Sequence, residues 1–180
     1  PIVRFQPFRF SDNCRKPIDF LREQTLRNRP EIKQFLCDLA ENRDIDLDVQ
    51  ATIFSSYFPR LNTARQAFID WRWPVADIEK FVLAFSDPYE GAKTFLNGSS
   101  LFIKDCYVDR KGGPHHPYKV GIIYNIYENN LYCCCLDATL VITEFSQAKR
   151  AGPIVGDRLY TPASVLEKLI AERVFYNPSG

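Results

Sequence analysis

The chain has 180 residues, a length that suits one domain or one and a half domains. Its residues are 46% hydrophobic and 14% aromatic, which is enough to build a packed core. Its 23 basic and 22 acidic side chains leave a net charge of +1, which excludes a strong overall attraction to nucleic acid or to an anionic membrane. No apolar run approaches the roughly 20 residues that span a bilayer, and no signal-peptide pattern is present. We therefore predict a cytoplasmic protein that does not bind a membrane.

The first third of the chain is predicted to be mainly helical. A short β-like run at 2–6 is followed by a helix that one of residues 11–13 caps. Residues 28–30 break this helix, and a second one follows with apolar residues at three- and four-residue spacing. Residues 50–58 are expected to form a strand or an extended segment.

A third helix is predicted after the loop that ends at Trp71. Pro74 is expected in its first turn, where a proline is tolerated. The helix must end by Asp87, because the residue before Pro88 is disfavoured in the α region. Its apolar residues recur at helical spacing on one face (Ile78, Phe81, Val82 and Phe85).

The second half of the chain changes to the two-residue period of β-strands. Five short β-rich segments alternate with turn residues (93–96, 100–108, 119–127, 131–136 and 138–145). Because an open sheet of such strands would expose hydrophobic edges, we predict a small antiparallel barrel. A last helix at 162–172 is expected to pack against it.

The six cysteines carry no metal or disulfide signature (Cys14, Cys37, Cys106, Cys133, Cys134 and Cys135). A metal site needs paired Cys or Cys/His spacing, and a disulfide framework needs dispersed cysteines in a short secreted chain. We therefore predict small buried apolar residues in a reducing compartment, and no metal site.

Two groups of residues are candidates for chemistry, each with a plainer interpretation. His115 and His116 lie in a Gly-Gly-Pro-His-His-Pro loop, where a metal or acid–base role competes with an exposed loop, which we favour. Asp70 and Asp87 are predicted to orient turns or cap helices and not to transfer protons. No nucleophile is evident, so no catalytic residue is assigned.

Polar and aromatic residues on the connection between the two halves are the candidates for substrate binding. They are Tyr57, Arg60, Asn62 and Trp71. Ligand sites favour such interfaces, and an arginine beside aromatic rings can hold a phosphate or stack on a base. The structural alternative is that Trp71 and Trp73 fill the interface while Arg60 pairs with Asp70.

The region 57–98 also carries a family resemblance. PRLN, IDW, an amphipathic helix, DPYEGA and FLNG follow one another in this order. The series resembles the junction between the catalytic domain and the C-terminal barrel in 10-formyltetrahydrofolate-dependent formyltransferases, of the methionyl-tRNA and the sugar N-formyltransferase type. The resemblance implies an α+β fold: a helical remnant with residual strands of the Rossmann-like domain, plus a linker, in 1–73, and an OB-like barrel with a C-terminal helix in 74–180.

The resemblance also implies an activity. The parent enzyme would transfer a formyl group from 10-formyltetrahydrofolate to a primary amine without a metal. In the family, the catalytic carboxylate belongs to an Asp-x-Gly motif that precedes a Pro-Ile pair like Pro1–Ile2, and the catalytic asparagine and histidine lie further upstream. We therefore expect the catalytic residues and most of the folate site outside this chain, which would be part of a longer enzyme. The rival interpretation is a non-catalytic barrel that binds RNA or protein.

The charge of the second half bears on the acceptor amine. From 74 to 180 there are eleven basic and twelve acidic residues, which disfavours tRNA and favours a nucleotide-linked amino sugar. Tyrosines in the predicted strands and loops offer rings for base stacking, although alternation is expected to bury part of the set (Tyr107, Tyr118, Tyr124, Tyr127 and Tyr132). Apolar helix faces in the first 58 residues predict a homo-oligomer.

Overall fold

The computed structural model describes residues 7–45, 62–147 and 152–171. They fall into two compact units, one containing 7–45 and the other containing the remaining two ranges. The β-like run predicted at 2–6 and the strand predicted at 50–58 lie outside the described residues. The division into domains at 73 and 74 stays a prediction. Among the described residues, no helix is both long and apolar enough to cross a membrane.

Helix α1, Pro17–Ala40, is a single helix of 24 residues. The predicted break at 28–30 is wrong, because Pro30 lies inside the helix. A proline there removes one backbone hydrogen bond and crowds the preceding turn, but the turns on either side keep their own bonds. The apolar side chains of α1 are largely exposed (Leu21, Leu26, Ile32, Leu36 and Leu39).

The start of α1 also differs from the prediction. None of residues 11–13 caps the helix; it begins at Pro17, whose missing N–H needs no partner at the first helical position. The Asp19 carboxylate accepts the Lys16 backbone N–H at 3.0 Å. Glu23 accepts hydrogen bonds from the Cys14 thiol, the Ser11 backbone and the Arg27 guanidinium, which lower the pKa of Glu23 to about 2. The start of α1 is thus fixed by carboxylates within the helix.

The second unit contains a six-stranded antiparallel sheet and three helices. The strands are β1 Ala92–Leu96, β2 Ser99–Asp109, β3 Ile123–Tyr127, β4 Asn130–Cys134, β5 Thr139–Gln147 and β6 Leu159–Tyr160. The helices are α2 Thr63–Gln66, α3 Val75–Ala84 and α4 Ala163–Ala171. The five predicted strands are all present, although the segment predicted from 119 begins with a 3₁₀ turn at Pro117–Lys119. Strand β6 was not predicted, because two residues carry no periodic pattern.

The sheet curls so that its two edge strands meet. Its order is β3-β4-β5-β2-β1-β6, and a bridge joins Ile122 to Arg158 beside the two edges. The Leu159 N–H donates to the Gly121 carbonyl, and the Ile123 N–H donates to the Asp157 carbonyl, both at 2.8 Å. We call this contact the seam. The predicted α+β fold with an OB-like barrel and a C-terminal helix is confirmed.

The core lies between α3 and the inner face of the sheet. Ile78 and Val82 of α3 are fully buried, and Phe81 packs against the core at its margin. Helix α3 ends at Ala84, before Asp87, as predicted. Residues Ala67, Ile69 and Trp71, which precede α3, belong to the same buried cluster.

The prediction of buried cysteines is confirmed for four of the six, and burial raises the pKa of the Cys135 thiol to about 12. It is wrong for Cys37, which is exposed on α1, and for Cys14, which is half-buried just before that helix. The physical reason is that, in the described ranges, the buried residue of α1 is the charged Asp38, so a cysteine there has no apolar core to enter. The four buried thiols therefore behave as small apolar side chains.

Helix α3 is capped by a distant residue. Pro74 occupies the N-cap position of α3, one residue before the first turn in which it was predicted. A proline has no side-chain oxygen that could accept a first-turn N–H. Asp137, in the turn between β4 and β5, accepts the Val75 N–H at 3.0 Å through Oδ1. A carboxylate there satisfies a first-turn N–H and complements the positive end of the helix.

Removal of this cap has a defined cost. We expect Asp137→Ala to lower the free energy of unfolding by about 1 kcal/mol, as for other lost helix caps. Asp137→Asn keeps an acceptor oxygen and should stay within about 0.5 kcal/mol of the native protein. Urea unfolding followed by tryptophan fluorescence measures both. If the two variants lose equal stability, the charge of Asp137 matters and the hydrogen bond to Val75 does not.

Candidate functional site

Two of the four predicted substrate-binding residues have described positions. Asn62 is exposed, and its Oδ1 accepts the Ala64 N–H at 3.1 Å and the Arg65 N–H at 3.2 Å. It therefore caps α2. Tyr57 and Arg60 lie outside the described residues, so the structure does not bring the four together, and their role in substrate binding stays a prediction.

Trp71 is buried and tied into a chain of hydrogen bonds. Its indole Nε1 donates to Thr94 Oγ1 on β1 at 2.9 Å. That hydroxyl donates in turn to the Tyr160 carbonyl on β6 at 3.0 Å. The chain links the segment before α3 to two neighbouring strands, so the polar atom of Trp71 is occupied within the protein.

Asp70 forms a tight turn with Arg72. The carboxylate accepts from Arg72 Nε at 2.8 Å, Nη2 at 2.6 Å and the backbone N–H at 3.0 Å. The hydrogen bonds from the Arg72 side chain lower the pKa of Asp70. The prediction that Asp70 orients a turn is confirmed. The pairing with Arg60 remains untested, but Arg72 already engages both carboxylate oxygens.

A small crevice of about 190 Å³ lies beside this turn. Its lining includes Asp70 and Arg72 of the turn, together with Arg158, Thr161 and the first residue of α4, Ala163. We call it the arginine crevice. Arg158 is held by its contacts with two carbonyls, Val120 O from Nη1 at 3.0 Å and Tyr118 O from Nη2 at 2.6 Å. No sequence signal joins Arg72 to Arg158, because only the seam brings them to one place.

The tyrosines of the second unit lie at the surface. Tyr107 is 42% exposed, Tyr118 83%, Tyr124 41% and Tyr127 59%, and Tyr132 is half-buried. The expectation that alternation buries part of this set is wrong. Tyr107 and Tyr132 both pair with Val141 of β5 and so share the outer face, and an irregularity in β3 at Tyr124 breaks the alternation there. We call Tyr107, Tyr124 and Tyr132 the tyrosine surface, since the rings of Tyr124 and Tyr132 are in contact, with their centroids 6.3 Å apart.

The loop that carries the histidines folds onto the outer face of β5. His115 Nε2 lies 2.9 Å from the Gly112 carbonyl and 3.0 Å from Thr139 Oγ1. Gly112 permits this close approach, since a Cβ there would lie 2.6 Å from the Thr139 hydroxyl. The prediction of an exposed loop is therefore wrong for His115, although His116 is exposed. Within the described ranges, no cluster of three metal-ligating side chains occurs.

Comparison with known protein families matches residues 62–153 to the formyl transferase C-terminal domain. The chain belongs to this family. The match covers the Asp70–Arg72 turn, the tyrosine surface and strands β1 to β5 of the formyl transferase C-terminal domain. A search of curated proteins finds none that matches the chain.

Formyltransferases generally use 10-formyltetrahydrofolate, and two cavities of this C-terminal domain are candidates to hold that donor. The arginine crevice is smaller than the roughly 300–1,000 Å³ of typical small-molecule sites. A groove of about 550 Å³ beside α4 is larger. No carboxylate or amide side chain lines it to accept the N–H groups of a pterin (Arg65, Phe68, Ser164, Val165, Lys168 and Leu169). Neither site fits the donor.

Proposed function

We propose that the chain is the C-terminal part of an enzyme that transfers a formyl group from 10-formyltetrahydrofolate to the amine of a nucleotide-linked amino sugar. The family match over 62–153 is the observation that carries the proposal. The donor would supply the formyl group, and in the family a carboxamide and an imidazole would stabilise the oxyanion while a carboxylate would manage the proton. The resemblance of the sequence assigns none of those roles to a residue of this chain.

The charge distribution supports a small acceptor over tRNA. Two lysines of the second unit lie close to carboxylates and so present less free charge. Lys104 pairs with Asp87 at 2.9 Å, and Lys93 lies 3.9 Å from Glu90 and donates to the Ala64 carbonyl at 2.6 Å. Phosphate contacts along a nucleic acid need several free cations on one face.

The tyrosine surface favours a second candidate, an RNA-binding domain. Two of its rings, Tyr107 and Tyr124, are more than 40% exposed, and stacking on a base contributes about 1–3 kcal/mol per ring. Arg110 and Lys111 directly follow β2, the strand that carries Tyr107. This candidate would bind RNA through stacking on tyrosine rings more than through positive charge. Its RNA affinity should therefore depend less on salt than that of a basic groove.

Titration with tRNA separates the two candidates. We expect no saturable binding of tRNA to the chain at micromolar concentration, even at low salt, because free positive charge is scarce. Fluorescence anisotropy of labelled tRNA at low and moderate salt measures this. Micromolar binding with a salt slope of several ions would overturn the proposal of an amino sugar acceptor.

A pair of variants shows which surface acts if tRNA does bind. Tyr107→Ala combined with Tyr124→Ala removes two exposed rings and should abolish binding that uses the tyrosine surface. Tyr160→Ala, which removes a ring near β1, is the matched control and should leave that binding unchanged. Loss in the double variant alone would support the RNA-binding candidate.

We also propose that the protein is cytoplasmic and forms a homo-oligomer. The exposed apolar side chains of α1 support self-association, since Leu26 is 69% exposed and Leu36 58%. Contiguous apolar surface of this kind commonly forms an interface in soluble proteins.

A further inference from the structure

We propose that the arginine crevice binds a single phosphate group, either free or carried by a small molecule. The proposal concerns residues of this chain alone and does not depend on the identity of the formyl acceptor. It rests on two positioned guanidinium groups, the start of a helix and the size of the cavity.

Both guanidinium groups are held in place and keep donors to spare. Arg72 uses Nε and Nη2 on Asp70, which leaves both N–H bonds of Nη1 without an acceptor among the described residues. Arg158 uses one N–H of each Nη on the Tyr118 and Val120 carbonyls, which leaves Nε and a second N–H on each Nη. Arginines fixed in this way lose little further freedom when they bind an oxyanion.

The start of α4 adds donors at the same place. Within this nine-residue helix the Val165 and Leu166 N–H groups donate to the Pro162 carbonyl. The Ala163 and Ser164 N–H groups have no backbone acceptor in the described parts of the chain. Thr161 lines the crevice as well, and its buried hydroxyl oxygen has no hydrogen-bond partner among the residues that the structure describes. The first N–H groups of a helix and its dipole favour an anion.

The charges limit the ligand to one small group. Arg72 and Arg158 line the crevice together with one carboxylate, Asp70, which Arg72 already compensates. Glu167 on α4 opposes an anion: Asp70 is the main cause of the raised pKa of Arg72, and the Glu167 charge adds to it. A volume of about 190 Å³ suits a single phosphate better than a nucleotide. Phosphate exceeds a carboxylate in charge and in acceptor oxygens.

Titration of the full chain with sodium phosphate tests the site. At constant ionic strength, backbone amide NMR should show saturable shifts at Ala163 and Ser164, with acetate binding more weakly. Arg72→Gln and Arg158→Gln should each weaken phosphate binding by about tenfold, the effect of one lost charge-assisted hydrogen bond. Arg110→Gln, an exposed arginine after β2, is the matched control and should change nothing.

Glu167→Gln tests the site without removing any donor or bond that supports the fold. It should tighten phosphate binding about twofold to threefold, because one opposing partly screened charge is lost. Shifts that do not saturate, or an equal loss in Arg110→Gln, would overturn the proposal, as would a Glu167→Gln variant with unchanged affinity. Tighter binding of ribose 5-phosphate than of inorganic phosphate would identify a carried phosphate group, and equal binding would identify the free ion.

Discussion

Gly121→Ala is expected to lower the free energy of unfolding by about 3 to 4 kcal/mol, among the larger losses seen for single substitutions. Gly121 has φ +81°, and a Cβ at this position would lie 2.1 Å from the Leu159 carbonyl oxygen. That atom belongs to the backbone of β6 and cannot turn away. Gly121 also donates to the Cys134 carbonyl at 2.8 Å and accepts from the Leu159 N–H. The methyl group would therefore push the seam apart, and urea unfolding of the variant measures the loss.

Gly98→Ala is the matched control for this substitution. Gly98 has φ +75°, close to that of Gly121, but nothing lies within 4 Å of the Cβ position. Only the strain of the left-handed backbone applies, so we expect a loss of about 1 kcal/mol. Equal losses at the two positions would assign the effect to backbone conformation, and the seam would then have no special sensitivity to crowding.

Thr94→Val is expected to cost about 2 kcal/mol, the penalty for leaving buried polar groups unsatisfied. Valine has nearly the same shape as threonine but has no hydroxyl. Trp71 Nε1 would lose its acceptor and the Tyr160 carbonyl would lose its donor. Thr94 is completely buried, so water does not replace the hydroxyl without a rearrangement. Chemical unfolding followed by tryptophan fluorescence reports the stability and the environment of Trp71 together.

Thr94→Ser keeps the hydroxyl and removes only a methyl group. It should cost about 1 kcal/mol, the value for one buried methyl. A serine variant that is less stable than the valine variant would show that packing at this position outweighs the hydrogen bonds.

The helices and strands whose apolar residues repeat at regular spacing over several residues were predictable from the sequence. Helix α3 places Ile78 and Val82 in the core as its apolar spacing indicates, and the alternating segments of the second half are strands. The burial of three consecutive cysteines at 133–135 also followed from the absence of any metal or disulfide pattern. These patterns are local and repeat over several residues, so they can be recognised without knowledge of the fold.

What the sequence did not indicate depends on contacts between distant residues. The cap that Asp137 gives to α3 has no local signature, because the two are brought together by the turn between β4 and β5. Arg158 carries no motif, and its place beside Arg72 depends on the seam. Pro30 failed as a helix breaker because a local rule about one residue was outweighed by the turns on both sides of it.

The seam closes the barrel into a ring, and the strand on one side of the seam is short. Strand β6 has only two residues, whereas β2 has eleven, so a local opening of the ring should start at β6 and leave the other strands paired. Arg158 takes part in the seam through its backbone bridge to Ile122, and it also lines the arginine crevice. The proposed anion, bound beside Arg158, shifts the opening equilibrium toward the closed ring by mass action. Occupancy of a surface crevice is thereby coupled to the fraction of molecules in which the interior of the barrel meets solvent.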